Sequence, residues 1–331
     1  MIGIQPNDIC YSSVGGGGGA FSSDGIVHHD LTPELARSAF DFNIVKRENF
    51  DRQGRLVPGQ WHLEKESDGS IIPSMSVGDR FEPIQHHMVF DHIVDRVLPQ
   101  IPGARIIVAG TIHGGGVGIV IIQLGDSFGV AWDCSPLATT LVFNNPCNGM
   151  GRMTLGMTVT RMFCQNQVVG AIRAASDDGI NVMHTKSGRE IAEFSMRAIT
   201  AEVERGLTMK GRITRLSMVS VNAAVVRHCL NRVYPLGGLE KGSRIYKNVE
   251  RLRERVMNEF EGGHTAQTMK RDSAWKLFNS FTYPIFNPDK MRRNMDATEI
   301  QYNGIFGNRA VDVHRILGVI ESAAGGDPKS P

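Results

Sequence analysis

The segment from Arg105 to Cys164 constrains the fold of this chain more than any other. Five runs rich in β-formers, Ile106 to Ala109, Ile119 to Leu124, Val130 to Trp132, Thr139 to Phe143 and Thr154 to Phe163, follow one another with glycine-bearing turns between them. Connections this short hold no crossover helix, so they join antiparallel neighbours and predict a meander.

Elements of other kinds are expected on both sides of it. A helix opens at Thr32-Pro33-Glu34, where a hydroxyl caps, proline takes the first helical position and an acid meets the positive end, and it runs to about Phe40. Strand-like pieces are expected at Phe42 to Lys46, Trp61 to Leu63 and Ser74 to Val77. His86 to Leu98 reads as a helix because Phe90, Val94, Val97 and Leu98 share one side, and Pro99 and Pro102 end it. Beyond the meander, Gln165 to Ala175 reads as helix, Ile180 to His184 as strand, and the chain from Ser187 as mostly helix. The clearest helical stripe is Ile245, Val249, Leu252, Val256 and Phe260, with Arg244, Lys247, Arg251 and Arg255 beside it.

The expected class is therefore α+β, an antiparallel β meander flanked by helices with a mostly helical C-terminal region. The chain divides into a flexible Gly/Ser-rich start (residues 1–30, with five consecutive glycines from Gly15 to Gly19), an α+β core domain (31–205), a basic helical region (206–322) and a frayed tail (323–331).

Composition narrows the function. With 41% apolar and 21% charged residues in 331, the chain is neither disordered nor collagen-like. The five cysteines at 10, 134, 147, 164 and 229 make no CxxC pair, which leaves a zinc ribbon or disulfide framework without support. The longest apolar run, Gly118 to Ile122, meets Gln123 and then Asp126, far short of the ~20 residues of a membrane span. Without a signal-peptide pattern, the expected location is the cytoplasm of a host cell.

Net charge is informative only when divided along the chain. Residues 1–150 hold nine Lys+Arg against sixteen Asp+Glu, net −7, and residues 151–331 hold 27 against 18, net +9. Arg205 to Arg255 is sharpest, with twelve basic and three acidic residues. Positive charge so concentrated fits a phosphate backbone, the alternative being a solvated helical face.

Several motif-like strings have plainer readings. Gly125-Asp126-Ser127-Phe128-Gly129 has the spacing of a nucleophile elbow, yet a strand-like piece follows where the elbow needs a helix, so a hairpin turn is expected. Gly114 to Gly118 lacks the Lys-Ser/Thr of a phosphate loop, and Gly15 to Ala20 lacks the flanking strand and helix of a dinucleotide fingerprint; both read as loops. His87 and Asp91 would share a helix face near His86 and His92, an incomplete metal set that reads as a polar helix surface. No metal and no cofactor is expected. The aromatics Trp275, Phe278, Phe281, Tyr283 and Phe286 precede Lys290, Arg292 and Arg293, where they would serve as base-stacking platforms or, at helical spacing, as core.

Four stretches carry a resemblance. Phe81-Glu82-Pro83-Ile84-Gln85, then Thr160-Arg161-Met162-Phe163-Cys164-Gln165-Asn166 after the meander, then His184-Thr185, and last Ala274-Trp275-Lys276-Leu277-Phe278-Asn279-Ser280 stand in the order seen in a phage- and plasmid-borne family of domains of unknown function. Arg161 to Asn166 is similar to that family's R-V-V-C-Q-N, and Ala274 to Ser280 to its T-A-W-x-L-x-N-A. The likeness covers about residues 75–285. Two departures matter: Asn145-Pro146-Cys147-Asn148-Gly149 stands where relatives often read N-S-H-D-G, and His86 replaces the last amide of an aromatic-x-P-x-Q-N string. Both argue against an active site at those positions.

The resemblance implies a bacteriophage or other mobile-element setting rather than a reaction. By analogy of fold and context, the order of elements is also similar to the Rad-fifty-two-like and phage Erf-like annealing proteins. The expected function is DNA binding without catalysis, favouring single strands, of the kind that anneals strands in recombination or replication by a homo-oligomer. Arg152, Arg161, Arg173, Arg212, Arg215, Arg251 and Arg255 are the expected phosphate contacts. Cys164 is expected as a buried small hydrophobe with Gln165 and Asn166 organising a strand-to-helix turn, and His184 and Trp275 as parts of the structural motif. Two alternatives stay open: an enzyme acting on nucleic acid or nucleotides with His184 and the His86 to His92 cluster at its centre, and a phage assembly or host-interaction protein.

Overall fold

The computed structural model describes residues 10–12, 31–149, 151–161, 180–186, 208–287 and 308–325. Its centre is a six-stranded sheet of β1 (Cys10–Ser12), β4 (Arg105–Ile112), β5 (Val117–Gln123), β6 (Leu137–Pro146), β7 (Met153–Arg161) and β8 (Ile180–Val182). The strand order is β1-β4-β5-β6-β7-β8 and every pairing is antiparallel, so the expected meander is present with one further strand at each edge. A second, two-stranded sheet pairs β2 (Ile44–Phe50) with β3 (Leu56–Lys65).

The helices fall in two groups. α1 (Pro33–Ser38) and α2 (His86–His92) precede the meander, and α2 widens into a π-helical turn at Ile93–Val97 and a 3₁₀ turn at Leu98–Gln100. Thr32 caps α1 as its hydroxyl predicts, accepting the Leu35 N–H at 3.3 Å. After the meander come α3 (208–218), α4 (Ala223–Val233), α5 (Arg244–Glu261), α6 (His264–Thr268), α7 (Ala274–Phe286) and α8 (Asn308–Ala323). The chain is thus α+β, with antiparallel sheets first and helices last.

Helices cover both faces of the meander. Val117, Ile119, Ile121 and Val142 pack with Leu230, Val256, Phe260, Trp275, Phe278 and Ile316 of the C-terminal helices. Val120, Ile122, Leu141 and Phe143 pack instead with Ala36, Phe90 and Ile93 of the first helices. Antiparallel sheets more often leave one face to water and alternate polar with apolar residues. Here alternation gives way to continuous runs because each face has a helical layer against it. The meander and the basic helical region consequently share one core. A third, smaller core joins the hairpin to the sheet through Ile44, Leu63, Ile72, Val77 and Cys147.

Three expected elements differ. Val130 to Trp132 is a turn in the β5–β6 connection rather than a strand, because Trp132 takes φ +68°, outside the extended range. Ser74 to Val77 contributes only the Val77–Trp61 bridge, since Pro73 and Gly78 bound a piece too short for a ladder. The helical stripe of α5 is buried only at Val256 and Phe260; Ile245, at the helix's opposite end, is 63% exposed because that end extends past the core. Gly114 to Gly116 lie in the β4–β5 hairpin connection while Val117 and Gly118 already belong to β5, and Gly125 to Gly129 lies in the β5–β6 connection, where no helix follows Ser127. The helix expected at Gln165 to Ala175 lies outside the described residues.

Candidate functional site

Two segments that carry the family resemblance, Phe81 to Gln85 and His184-Thr185, meet the departing stretch Asn145 to Gly149 around the backbone of Ile84. Its N–H donates to His184 Nδ1 at 3.1 Å, and its carbonyl accepts from Asn145 Nδ2 at 2.7 Å and from the Cys147 thiol at 2.9 Å. The Glu82 N–H donates to the His184 carbonyl at 2.9 Å, and the Phe81 ring stacks on the His184 imidazole with centroids 5.3 Å apart. One residue further on, the Gln85 side-chain amide makes two bonds to Ile44, accepting its N–H at 2.8 Å and donating to its carbonyl at 3.0 Å. Gln85 thereby stands in for a neighbouring strand and docks the hairpin.

His86 forms the floor of this knot. A carbonyl only accepts, so the 3.0 Å contact with the Gly115 carbonyl places the proton on Nε2 and leaves Nδ1 to accept from Asn145 Nδ2 at 3.0 Å. Gly118 is required beneath the ring, since a Cβ there would lie 2.5 Å from Nδ1.

The chemistry of the knot is neutral. Cys147 Sγ lies 3.9 Å from His86 Nδ1, a spacing that invites a thiolate–imidazolium reading. Burial instead pushes the thiol well above its ordinary range and lowers His86 to about 4, so neither is charged at pH 7. Burial likewise lowers His184 to about 4. The thiol spends its proton on the Ile84 carbonyl, and the group acts as a fastening between the first segment and the sheet. A cleft of about 400 Å³ opens beside it, with Arg37, Phe42, Glu66 and His87 in its walls. Of the expected His–Asp pair on α2, Asp91 is held by Arg37 in a two-point ion pair at 2.8 and 3.1 Å, while His87 faces the cleft. Among the described residues no three His, Cys, Asp or Glu side chains gather in a way that would hold a metal ion.

The basic helical region sorts its cations into two kinds. Arg212 makes a two-point ion pair with Glu321 at 2.9 and 2.7 Å, joining α3 to α8. Arg253 caps the C-terminal end of α4 through the carbonyls of Leu230 and Tyr234 at 3.1 and 2.9 Å, and Arg315 adds the Val233 carbonyl at 3.0 Å. Arg255 donates to the Asn287 carbonyl at 2.6 Å, at the end of α7. Arg215, Arg244, Lys247 and Arg251 are exposed and form no ion pair among the described residues.

The other expected site residues fall as follows. Arg152 is exposed, just before β7. Arg161 ends β7, and its side chain, like Arg173, Cys164, Gln165 and Asn166, lies outside the described residues. Trp275, Phe278 and Phe281 are fully buried on α7, with Trp275 and Phe278 stacked at 5.5 Å, which makes them core rather than platforms for bases. Sequence reasoning gives Ile84 and Gln85 no role: Ile84 acts through its backbone, which leaves no side-chain signature, and Gln85 is visible only as a member of the string Phe81 to His86.

A family model described as Domain of unknown function (DUF932) matches residues 74–303, which takes in the knot, the meander and the helices through α7. No curated protein and no solved structure matches the chain.

Proposed function

The chain belongs to the DUF932 family, and we propose that it binds single-stranded nucleic acid on the cationic surface of its helical region, holding strands for pairing without a catalytic step. One observation carries this reading: Arg215, Arg244, Lys247 and Arg251 are exposed with no acidic partner among the described residues, whereas Arg212, Arg253, Arg255 and Arg315 are engaged inside the fold. Arg244, Lys247 and Arg251 are spaced by three and four, so they lie on one side of α5 over about 10 Å of its axis. Glu250 and Glu254 on the same helix partly neutralise this surface, and the net row of cations attracts a phosphodiester chain and gains entropy as counterions leave it.

The likeness of Arg161 to Asn166 to the R-V-V-C-Q-N of phage and plasmid proteins supports a mobile-element setting, and with it a host cytoplasm. Self-association is part of the same proposal. The outer end of α5 leaves Ile245 63% exposed in line with Val249 and Leu252, an apolar stripe that a second copy would cover.

The test is fluorescence anisotropy of labelled single- and double-stranded DNA of equal length, titrated with protein at several salt concentrations. Preference for the single strand with a steep salt slope is the expected result; absence of binding to either at low salt overturns the proposal.

A further inference from the structure

The β5–β6 connection presents one exposed aromatic ring in a backbone conformation that its residue type rarely adopts. Trp132 is 56% exposed at φ +68°. A bulky side chain in the left-handed region is strained, and such strain persists only where the surroundings over-determine it.

Here they do. The Trp132 carbonyl accepts the Lys270 N–H at 3.1 Å, Asp133 bridges to Met269, and the Cys134 N–H donates to the Thr268 carbonyl at 3.1 Å. Asp133 is turned inward, where the Trp275 indole N–H reaches it at 2.9 Å. The loop is therefore clamped to the helical region at Trp132 and the two residues after it, with the ring left outside.

Two lysines contact the same loop, which also carries the exposed Asp126. Lys270 is hydrogen-bonded to Trp132 through the backbone, and its side chain is exposed. Lys210 of α3 places its ammonium 4.7 Å from the centre of the Phe128 ring, in the same loop. The chain continues from Lys270 into Arg271, whose guanidinium reaches Ser220 just beyond α3, the helix that carries Arg215. Asp272, the nearest acid on this stretch, is drawn to Lys276 at 2.7 Å.

We propose that Trp132 is a stacking platform for an unpaired base, with Lys270 and Lys210 meeting the phosphates on either side of that base. A ring face takes any base and cations that contact the same loop take the backbone, which is the pairing of groups that single-strand binding uses. The ring has no large apolar exposed neighbour in its loop among the described residues, so the site lacks the apolar patch that entry into a lipid surface needs. Clamping the ring outward in advance removes the ordering cost from the binding step.

This site rests on the proposed single-strand binding, and the test separates the two. Wild type, Trp132→Phe, Trp132→Ala and Trp132→Gly are titrated against labelled oligothymidine and against an abasic sugar-phosphate strand of the same length. On oligothymidine, Trp132→Ala and Trp132→Gly are expected to bind about tenfold more weakly than wild type, with Trp132→Phe close to wild type and the salt slope unchanged. On the abasic strand the four proteins should bind alike. Trp132→Gly should melt no lower than wild type, because glycine accepts φ +68° without strain. Equal binding of oligothymidine by wild type and Trp132→Ala overturns the platform while leaving the cationic surface standing. Failure of wild type to bind either strand overturns both. Trp132-dependent binding of phosphatidylserine vesicles with unchanged DNA affinity assigns the ring to a lipid surface and overturns the platform as well.

Discussion

The Trp275 indole N–H donates to the Asp133 carboxylate at 2.9 Å, joining two residues 142 positions apart. The bond ties α7, deep in the helical core, to the loop that holds Trp132 outward. A hydrogen bond to a charged acceptor contributes about 1.5–3 kcal/mol. Trp275→Phe, which keeps an aromatic ring and removes the donor, is expected to lower stability by about that amount in urea denaturation. It should also weaken single-strand binding with Trp132 untouched. An unchanged urea midpoint would show that the bond anchors nothing.

Acid should loosen the Ile84 knot. His86 and His184 are neutral in the fold, with values lowered from 6.5 to about 4, whereas in the unfolded chain they take up protons near 6.5. Between those values the unfolded state binds more protons, so stability is full above about pH 6.5 and falls as pH drops toward about 4, by roughly 3 kcal/mol for each histidine. The melting temperature measured across this window should decline, and His184→Gln, which keeps an acceptor for the Ile84 N–H, should make the decline shallower. A pH-independent melting temperature between 4 and 6.5 would contradict the assignment.

Two glycines should respond in opposite directions to one added methyl group. At Gly118 a Cβ would meet His86 Nδ1 at 2.5 Å inside the knot, so Gly118→Ala is expected to cost about 1–3 kcal/mol or more. Gly211 lies within α3 with nothing within 4 Å of its added carbon, and Gly211→Ala should gain about 0.5–1 kcal/mol through helix propensity. Thermal denaturation of the two variants beside wild type checks both signs.

Charge reversal should separate the two kinds of arginine. Arg215→Glu with Arg251→Glu is expected to leave the melting temperature nearly unchanged and to weaken DNA binding, with the salt slope reduced by about 0.7 for each single-strand phosphate that is no longer neutralised. Arg212→Glu would set one carboxylate against Glu321 in a half-buried position, and a loss of about 1–2 kcal/mol in stability is expected. Equal effects of Arg212 and Arg251 reversal on stability would erase the distinction.

How much of the fold and the site is legible in the chain itself varies with the range of the interaction. The meander can be read because β-branched runs and glycine turns are local signals, and α1 because its cap, proline and acid lie within three consecutive residues. The charge split is legible for the same reason, since it is a count. The fate of each arginine is not: Arg212 and Arg215 sit one turn apart on α3, yet one reaches Glu321, 109 residues away, and the other reaches water. Within the site, Phe81 to His86 is visible as a string, but its meeting with Asn145, Cys147 and His184 around Ile84 is not.

By itself, then, the sequence determined the class of fold, the order of its elements and the polarity of its two halves, because periodicity, turn chemistry and charge act between near neighbours. The tertiary structure alone decided which cations form no ion pair among the described residues, that the Cys–His pair is buried and neutral, and that Trp132 stands outside while Trp275 lies within. Those outcomes depend on which surfaces the packed layers cover, and burial is a property of the assembled chain rather than of any residue in it.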